Sequence, residues 1–315
     1  MNLERLGSIT SELSSNLIKS IVVPPGGLLG WFTRHRADRA RERQRLSRPD
    51  LRGDDSLDIA LAEYPAGPVV LLGGSPYPDE AIVEAIHLAG GRSARVAVIP
   101  VAAIVDPAAS AAEAMRLFTR FGMKKVELFS LDSREKAASQ EWCTRLAEFD
   151  AVVLCGESPA QGLQVLQATL AAVTLRDMVA AGKLLVGIDA GAAILGSRAF
   201  SSSEVSEATA GLGVLPALIV DTEFTQCSRF GRLAKALGVE GASLMLGAGL
   251  DAGAALVVVS GEARVLGESS VTFLDPRERD GGTNALKVHL LTDGYRMNLR
   301  LRRPVAPQKA ASLSR

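Results

Sequence analysis

From Val69 onwards, short runs of valine, isoleucine and leucine alternate with longer segments of helical spacing. The runs VVLLGG, RVAVIPVA, DAVVLCG and KLLVGIDAG show little polar alternation, which is typical of strands covered on both faces in a parallel sheet. Segments such as SAAEAMRLFTRFG and GLQVLQATLAAVTLRDMVAAG, which lie between them, have the length of crossover helices. Further apolar runs after Gly211 predict late strands that complete the sheet. The pattern predicts an α/β fold with a doubly wound, mostly parallel sheet.

The amino-terminal region differs in composition from the rest of the chain. The segment from Leu17 to Phe32 is apolar, but a lysine and a Pro-Pro-Gly-Gly break make it a poor membrane span. An arginine-rich stretch follows it and runs to Arg52. An apolar segment beside an arginine helix fits peripheral contact with an anionic membrane or with a protein partner. A solvated helix whose apolar lead-in packs on the main domain explains the same residues.

Composition narrows the class of protein. The chain has 315 residues, 47% of them apolar, and a formal net charge of zero, so we expect no nucleic-acid partner. Its cysteines lack the spacing of a metal or redox motif, and the amino terminus lacks a secretory pattern, which together predict a cytoplasmic protein. We expect no cofactor, and a homodimer is a candidate assembly. The predicted parts are an extension and linker over 1–60, an α/β domain over 61–306 and a flexible tail over 307–315.

The segment KLLVGIDAGAAILGS has the pattern of a nucleophile elbow, in which a strand, a tight Gly-x-Nuc-x-Gly turn and a helix of small residues follow one another. Gly187 and Gly191 flank Asp189, where such a turn usually carries serine or cysteine. Ligand sites in open α/β sheets lie beyond the carboxyl ends of the strands, where CGESPAQ, DTEFTQCSRFGRL and LLGGSPYPDEA also follow predicted strands. These segments therefore predict the site. A turn whose glycines only allow close packing is the alternative.

Several separated blocks then indicate a family. GIDAGAAILG, GLGVLPALIVDTEFTQCSRFGRL, GAGLDAGAALVVVSG, ARVLGESSVTFLD and VHLLTDGYRMNLRLRRP occur in this order, and the chain from Val69 to Pro304 resembles the cyanophycinase branch of the peptidase E family. The resemblance implies an α/β/α sandwich of the class I glutamine-amidotransferase-like (flavodoxin-like) type. It also implies serine-hydrolase chemistry on isoaspartyl or aspartyl bonds at chain ends, with β-aspartyl-arginine as the unit that cyanophycinase cleaves.

The family's reactive residues are replaced in this chain. Asp189 stands where the family motif Gly-Thr-Ser-Ala-Gly-Ala has its nucleophilic serine, and Glu223 stands where Asp-Gln-His-Phe has its histidine base. The loop that helps to form the oxyanion hole reads Cys155-Gly156-Glu157-Ser158. The chain has three histidines, His35, His87 and His289, and none of them is placed to act as a base for the residue at the elbow. These departures predict a catalytically degenerate member, a pseudoenzyme with no catalytic residue assigned.

The replacements change the charge of the predicted site. Two carboxylates in place of a hydroxyl and an imidazole add up to about two negative charges, and their ionisations should be coupled. A negative cleft favours a basic ligand such as an arginine or lysine side chain, a polyamine or a metal ion, although scattered carboxylates predict no metal site. In the alternative, Arg229 or Arg232 satisfies both acids internally. The candidate ligand-binding residues are Gly156, Glu157, Ala190, Gln226 and Arg229.

Three functions remain open at this level. The first is a degenerate family member that binds a ligand or a protein partner. The second is an active hydrolase of β-aspartyl peptides, in which Asp189 is the nucleophile and Glu223 the base. The third is a scaffold that binds a membrane or a complex through the arginine-rich amino terminus.

Overall fold

A computed structural model of the chain describes residues 63–202, 208–238, 245–277 and 286–307, which all belong to a compact unit spanning 59–315. In chain order its strands are β1 (Val69–Leu72), β2 (Arg95–Ala102), β3 (Lys125–Leu128), β4 (Ala151–Gly156), β5 (Leu184–Ile188), β6 (Gly196–Phe200), β7 (Ala208–Ala210), β8 (Leu215–Thr222), β9 (Leu246–Leu250), β10 (Ala254–Val259), β11 (Glu262–Gly267), β12 (Val271–Asp275), β13 (Lys287–Leu291), β14 (Arg296–Asn298) and β15 (Arg303–Val305). Its helices are α1 (Asp79–Leu88), α2 (Pro107–Thr119), α3 (Arg134–Ala138), α4 (Gln140–Leu146), α5 (Pro159–Leu166), α6 (Leu170–Ala180), α7 (Ala190–Ala193) and α8 (Phe230–Gly238).

Nine of these strands form the larger sheet, in the order β15-β14-β11-β10-β1-β5-β4-β2-β3. The strands from β1 to β3 along this order pair in parallel, and the strands beyond β1 pair antiparallel. The parallel half consists of the apolar runs from which the sheet was predicted, and late strands extend it at the β1 edge. The prediction of an α/β fold built on a large sheet is confirmed.

The remaining six strands form a second sheet, in the order β13-β12-β9-β8-β6-β7. The hydrophobic pattern did not predict this sheet, and its strands were expected to complete the first one. An apolar strand such as β9 or β12 is buried on both faces in either arrangement, so the hydrophobic pattern does not say which sheet it joins.

The layers follow from the side chains of the central strands, which point alternately to opposite faces. Val69 and Leu71 of β1 belong to a core that contains α3 to α6 and one face of the second sheet, whereas Val70 and Leu72 pack with α1 and α2. Helix α8 covers the other face of the second sheet through Leu233 and its neighbours. Because both faces are covered, the central strands contain no polar alternation.

Two predicted regions fall largely outside the described residues. They are the amino-terminal extension and linker over 1–60 and most of the tail over 307–315. The boundaries of these regions therefore stay predictions. Among the residues that the structure describes, no helix is both long enough and apolar enough to cross a membrane.

Candidate functional site

A cavity of about 610 Å³ opens where several strands end. Its walls include Asp106 after β2, Glu157 after β4, Asp189 after β5 and Glu223 after β8. The carboxyl ends of strands are where open α/β sheets bind ligands. The structure thus brings together the segments CGES, GIDAG and DTEF, as the sequence analysis expected.

Asp189 lies in a sharp turn between β5 and α7. Its backbone angles are φ 51° and ψ −115°, outside the regions that residues with a side chain usually adopt. The two flanking glycines allow close packing, since a Cβ at Gly191 would lie 2.1 Å from the Leu154 carbonyl oxygen and one at Gly187 would lie 2.5 Å from the Ala192 Cα. Packing therefore accounts for the glycines, and the turn that they permit places Asp189 in the wall of the cavity.

We expect Gly191→Ala to destabilise the fold by about 1–3 kcal/mol, because the added methyl group overlaps the Leu154 carbonyl and backbone must move. The matched control is Gly231→Ala in α8, where a Cβ would have no atom within 4 Å. Alanine is favoured over glycine in a helix, so the control should unfold at or slightly above the wild-type denaturant concentration. Urea unfolding of both variants measures the difference. Equal stabilities would contradict the packing described for this turn.

The Asp189 carboxyl has one hydrogen-bonded oxygen and one without a partner among the described residues. The Tyr77 hydroxyl donates to Oδ2 at 2.6 Å, while Oδ1 is buried and accepts no hydrogen bond. Burial raises the pKa of Asp189 to about 6, Glu223 and Glu113 raise it as well, and the Tyr77 hydrogen bond and Arg229 lower it. The carboxyl is therefore ionised above about pH 6 and has an acceptor oxygen for which the described residues supply no donor.

Glu223 lies at the mouth of the same cavity. Its side chain is 49% exposed, and its Oε2 lies 3.7 Å from Arg229 Nη2 and 3.8 Å from Cys227 Sγ. Its backbone has a φ of 46°, and its N–H donates to the Gly73 carbonyl at 2.8 Å. Glu223 is thus fixed through its backbone while its carboxylate remains accessible.

The two arginines of the site bind a third acid. Asp221 is 1% exposed, and Arg232 donates to it through Nε at 2.7 Å and through Nη2. Arg229 Nη1 lies 3.3 Å from Asp221 and donates to the Thr222 carbonyl. Arg229 approaches Glu223, but neither guanidinium hydrogen-bonds Asp189 in the described structure. The alternative, in which an arginine satisfies both Asp189 and Glu223, is therefore realised in part: Arg229 forms an ion pair with Glu223 at 3.7 Å, and neither arginine pairs with Asp189.

The other predicted ligand-binding residues are only partly brought together. Gly156 and Ala190 line the cavity, as does Glu157, whose Oε1 accepts from the N–H groups of Ile104 and Val105 at 2.8 and 3.0 Å. Burial raises the pKa of Glu157, but these backbone hydrogen bonds outweigh it and hold the pKa below its usual value. Glu157 therefore holds the loop after β2.

Gln226 was predicted at the site but does not line this cavity. Its side-chain oxygen accepts a hydrogen bond from the Ala252 N–H at 3.1 Å. Gln226 lies in the short segment between β8 and α8, in which the N–H groups of Cys227 and Arg229 donate to the carbonyls of Glu223 and Phe224 at 2.9 Å.

Two site residues were missed by sequence reasoning. Tyr77 lies in SPYPDEA, a segment that was expected at this edge of the sheet without any residue being singled out. Glu113 lies in the middle of α2, and only the packing of that helix on β2 and β4 brings it to the cavity. An aromatic residue in a turn after a buried strand was the available signal for Tyr77, and no local signal marked Glu113.

No histidine lines the cavity as far as the described residues define it. Neither His87 on α1 nor His289 on β13 lines it, and His35 lies outside the described residues. Cys155 does line it, but burial raises the pKa of its thiol to about 11, so it is a protonated core residue. Within the same described ranges, no three His, Cys, Asp or Glu side chains are grouped to hold a metal ion.

Comparisons with known proteins agree with this architecture. The sequence profile of peptidase family S51 matches residues 69–266. A cyanophycinase of Synechococcus elongatus is 32% identical over 233 residues, which is 67% of this chain and 72% of that protein. A cyanophycinase of Trichormus variabilis is 29% identical over 268 residues, 78% of this chain and 89% of that protein.

A solved structure shows the same fold. The crystal structure of a peptidase from an acI-B1 actinobacterium superposes with a TM-score of 0.60 at 20% identity, and the alignment covers 75% of this chain and 98% of the other. The matched profile spans the strands and turns that build the cavity, including Asp189 and Glu223. The chain belongs to peptidase family S51, the family of the cyanophycinases and peptidase E.

Proposed function

We propose that this protein has lost serine-peptidase activity and binds a basic ligand in the cavity beyond the strand ends. The observation that carries the proposal is the chemistry at the elbow. By the resemblance to the family's motifs, Asp189 stands at the nucleophile position and Glu223 at the position of the base, and no histidine of the described residues lines the cavity. A serine hydrolase needs a hydroxyl nucleophile and a base suited to it, usually histidine, and these two side chains supply neither the hydroxyl nor the imidazole.

Charge supports a cationic ligand. Six acidic residues line the cavity with two arginines, and both arginines bind the buried Asp221. The acids that remain closest to Asp189 are Glu223 and Glu113, which raise its pKa. A guanidinium or ammonium group placed among them would lower that pKa again and would donate to carboxylate oxygens. An arginine side chain matches this arrangement, because its planar fork can contact two carboxylates at once.

Binding of arginine amide to the full-length protein tests the proposal by calorimetry near pH 8. We expect Asp189→Asn and Glu223→Gln each to weaken the affinity roughly 10- to 100-fold, since each removes a charged hydrogen bond. Citrulline amide, which has the same shape and no charge, should bind as weakly as arginine amide binds to the variants.

Glu262→Gln is the matched control, because Glu262 pairs with Arg296 at 2.9 Å and does not line the cavity. This variant should bind arginine amide like the unmodified protein. No binding by the unmodified protein, or equal binding of the two amides, would sink the proposal.

Hydrolysis by an aspartate nucleophile is a second candidate, which the strained backbone of Asp189 favours. In that reaction the Asp189 carboxylate would attack the scissile carbonyl and form a mixed anhydride, while the C–N bond breaks and arginine leaves through its amine with a proton from solvent. Water would then hydrolyse the anhydride, with Glu223 taking the proton of that water and the Asp189 carboxylate being regenerated. Release of arginine from β-aspartyl-arginine that disappears in Asp189→Asn would favour this candidate.

The expectation for the amino terminus is retained as part of the proposal. We propose that the protein is cytoplasmic and contacts a membrane surface or a protein partner through Leu17 to Arg52, a segment outside the described residues. Flotation of the full-length protein with anionic vesicles, against a version that starts at Leu57, tests the membrane contact.

A further inference from the structure

One short segment, residues 72–77 between β1 and α1, contacts both acids of the site. The Leu72 carbonyl accepts from the Asp189 N–H at 3.1 Å, and the Gly73 carbonyl accepts from the Glu223 N–H at 2.8 Å. At its far end, the Tyr77 hydroxyl donates to Asp189 Oδ2 at 2.6 Å. The segment therefore fixes the backbone of both residues, and through Tyr77 it also fixes a carboxyl group.

The surroundings of the Tyr77 phenol keep it protonated, so it remains a hydrogen-bond donor. Its ring packs against the core formed with α1 and α2. Burial raises the pKa of Tyr77 far above its usual range, and the neighbouring Asp189 charge and hydrogen bond raise it further. The phenol therefore stays protonated, and its short contact with Asp189 is a charge-assisted hydrogen bond once that carboxyl ionises.

We propose that Tyr77 is a positioning residue of the binding site, whose phenol fixes the Asp189 carboxyl and thereby determines its capacity to accept a cationic ligand. The inference rests on the proposed function for the identity of the ligand. It concerns a residue that the elbow pattern does not contain and that acts on the ligand through Asp189.

The pKa of Asp189 depends on the charged groups around it as well as on the Tyr77 phenol. Glu223 after β8 and Glu113 on α2 oppose its ionisation, Arg229 favours it, and the Cys155 thiol on β4 is neutral. The other charged groups of the cavity wall are Asp106, Glu157, Asp221 and Arg232. Among these contacts, only Tyr77 donates a hydrogen bond to the carboxyl. Loss of this hydrogen bond would favour the protonated form of Asp189, so the carboxyl would ionise at a higher pH.

The direct test is a ¹³C NMR titration of the side-chain carboxyls in full-length protein labelled at aspartate, with Asp189→Asn to assign the signal. We expect the Asp189 midpoint near pH 6 in the unmodified protein and a higher midpoint in Tyr77→Phe, which keeps the ring and its packing. Tyr295→Phe is the control, because Tyr295 lies at the β14 edge away from the cavity and should leave the midpoint unchanged.

A second modification strengthens the phenol as a hydrogen-bond donor, whereas Tyr77→Phe removes it. Replacement of the tyrosines by 3-fluorotyrosine gives a more acidic phenol of nearly the same shape, which should lower the Asp189 midpoint. An unchanged midpoint in both Tyr77→Phe and the fluorinated protein would overturn the inference, and this result requires no ligand.

Binding of arginine amide supplies the functional readout. In the unmodified protein the affinity should rise as the pH increases through about 6 and then level off, since Asp189 ionises over that range. In Tyr77→Phe the curve of affinity against pH should shift to higher pH. The affinity should be roughly three- to tenfold lower than that of the unmodified protein near neutral pH, and the difference should become smaller in alkaline solution. A loss of the same size at every pH would indicate a structural role and contradict the inference. Failure of the unmodified protein to bind at any pH would contradict the proposed function instead.

Discussion

Purified protein is expected to react with no serine-directed fluorophosphonate and to release no arginine from β-aspartyl-arginine. The elbow carries a carboxyl that is hydrogen-bonded to Tyr77, and Glu223 lines the same cavity, where the described residues include no histidine to take up the proton of a serine. Loss of one member of such a triad typically lowers the rate by about 10⁴-fold, with only oxyanion and binding effects left. A family member with an intact serine and histidine serves as the positive control in both assays.

Restoring the serine alone should not restore turnover. In Asp189→Ser the bases that line the cavity among the described residues are carboxylates such as Glu223, and none of them is a histidine, the base that usually serves a serine. The double variant Asp189→Ser, Glu223→His should recover a trace of activity, provided that backbone N–H groups at Ala190 and Gly156 still stabilise an oxyanion. Turnover by the unmodified protein that Asp189→Asn abolishes would contradict this account.

Asp221→Asn is expected to destabilise the fold by about 3–5 kcal/mol. Asp221 is 1% exposed and binds Arg229 and Arg232, whose side chains are 16% and 12% exposed. Removal of its charge leaves two mostly buried guanidinium groups without their common partner. Arg232 keeps contacts with the Ser202 carbonyl and the Phe200 ring, and Arg229 keeps the Thr222 carbonyl, so the loss should stay within this range.

The matched control for Asp221→Asn is Glu262→Gln, which breaks the exposed pair with Arg296. Pairs of that kind contribute less than about 1 kcal/mol, so the control should unfold at nearly the wild-type denaturant concentration. Chemical unfolding of the two variants under the same conditions separates the two cases. Equal stabilities would show that Asp221 does not hold the two arginines as described.

The parts of the site that sequence reasoning predicted are those specified by local pattern. The run KLLVGIDAG contains the strand, the turn glycines and the residue between them, so it fixes the position of Asp189 in the turn without knowledge of its neighbours. Glu223 and Gly156 follow apolar runs in the same way, and the rule that strands end at one edge brings them to the same cavity.

The parts that were missed depend on contacts between distant segments. The pairing of β12 with β9 and not with the larger sheet, the hydrogen bond from Tyr77 to a residue 112 positions away, and the choice of Asp221 as partner of both arginines have no local signature. Gln226, which was also expected at the site, does not line the cavity, and its hydrogen bond with the Ala252 N–H has no local signature either.

These contacts also change the chemical picture of the site. The sequence suggested that two acids would either bind a ligand or be neutralised by arginine. In the structure both arginines bind Asp221 and Arg229 also lies 3.7 Å from Glu223, while Asp189 is held by a neutral phenol and has a pKa of about 6. Asp189 is therefore charged at neutral pH without an arginine partner among the described residues, which supports the proposed basic ligand.

A crystal structure of the unmodified protein soaked with β-aspartyl-arginine tests the central claim most directly, because it shows binding and turnover together. The account predicts an intact dipeptide in the cavity beyond the strand ends, with its guanidinium or ammonium group within hydrogen-bond distance of the carboxyl groups of Asp189 and Glu223. An acyl group attached to Asp189, cleaved products in the cavity, or a dipeptide bound away from both carboxyl groups would contradict it.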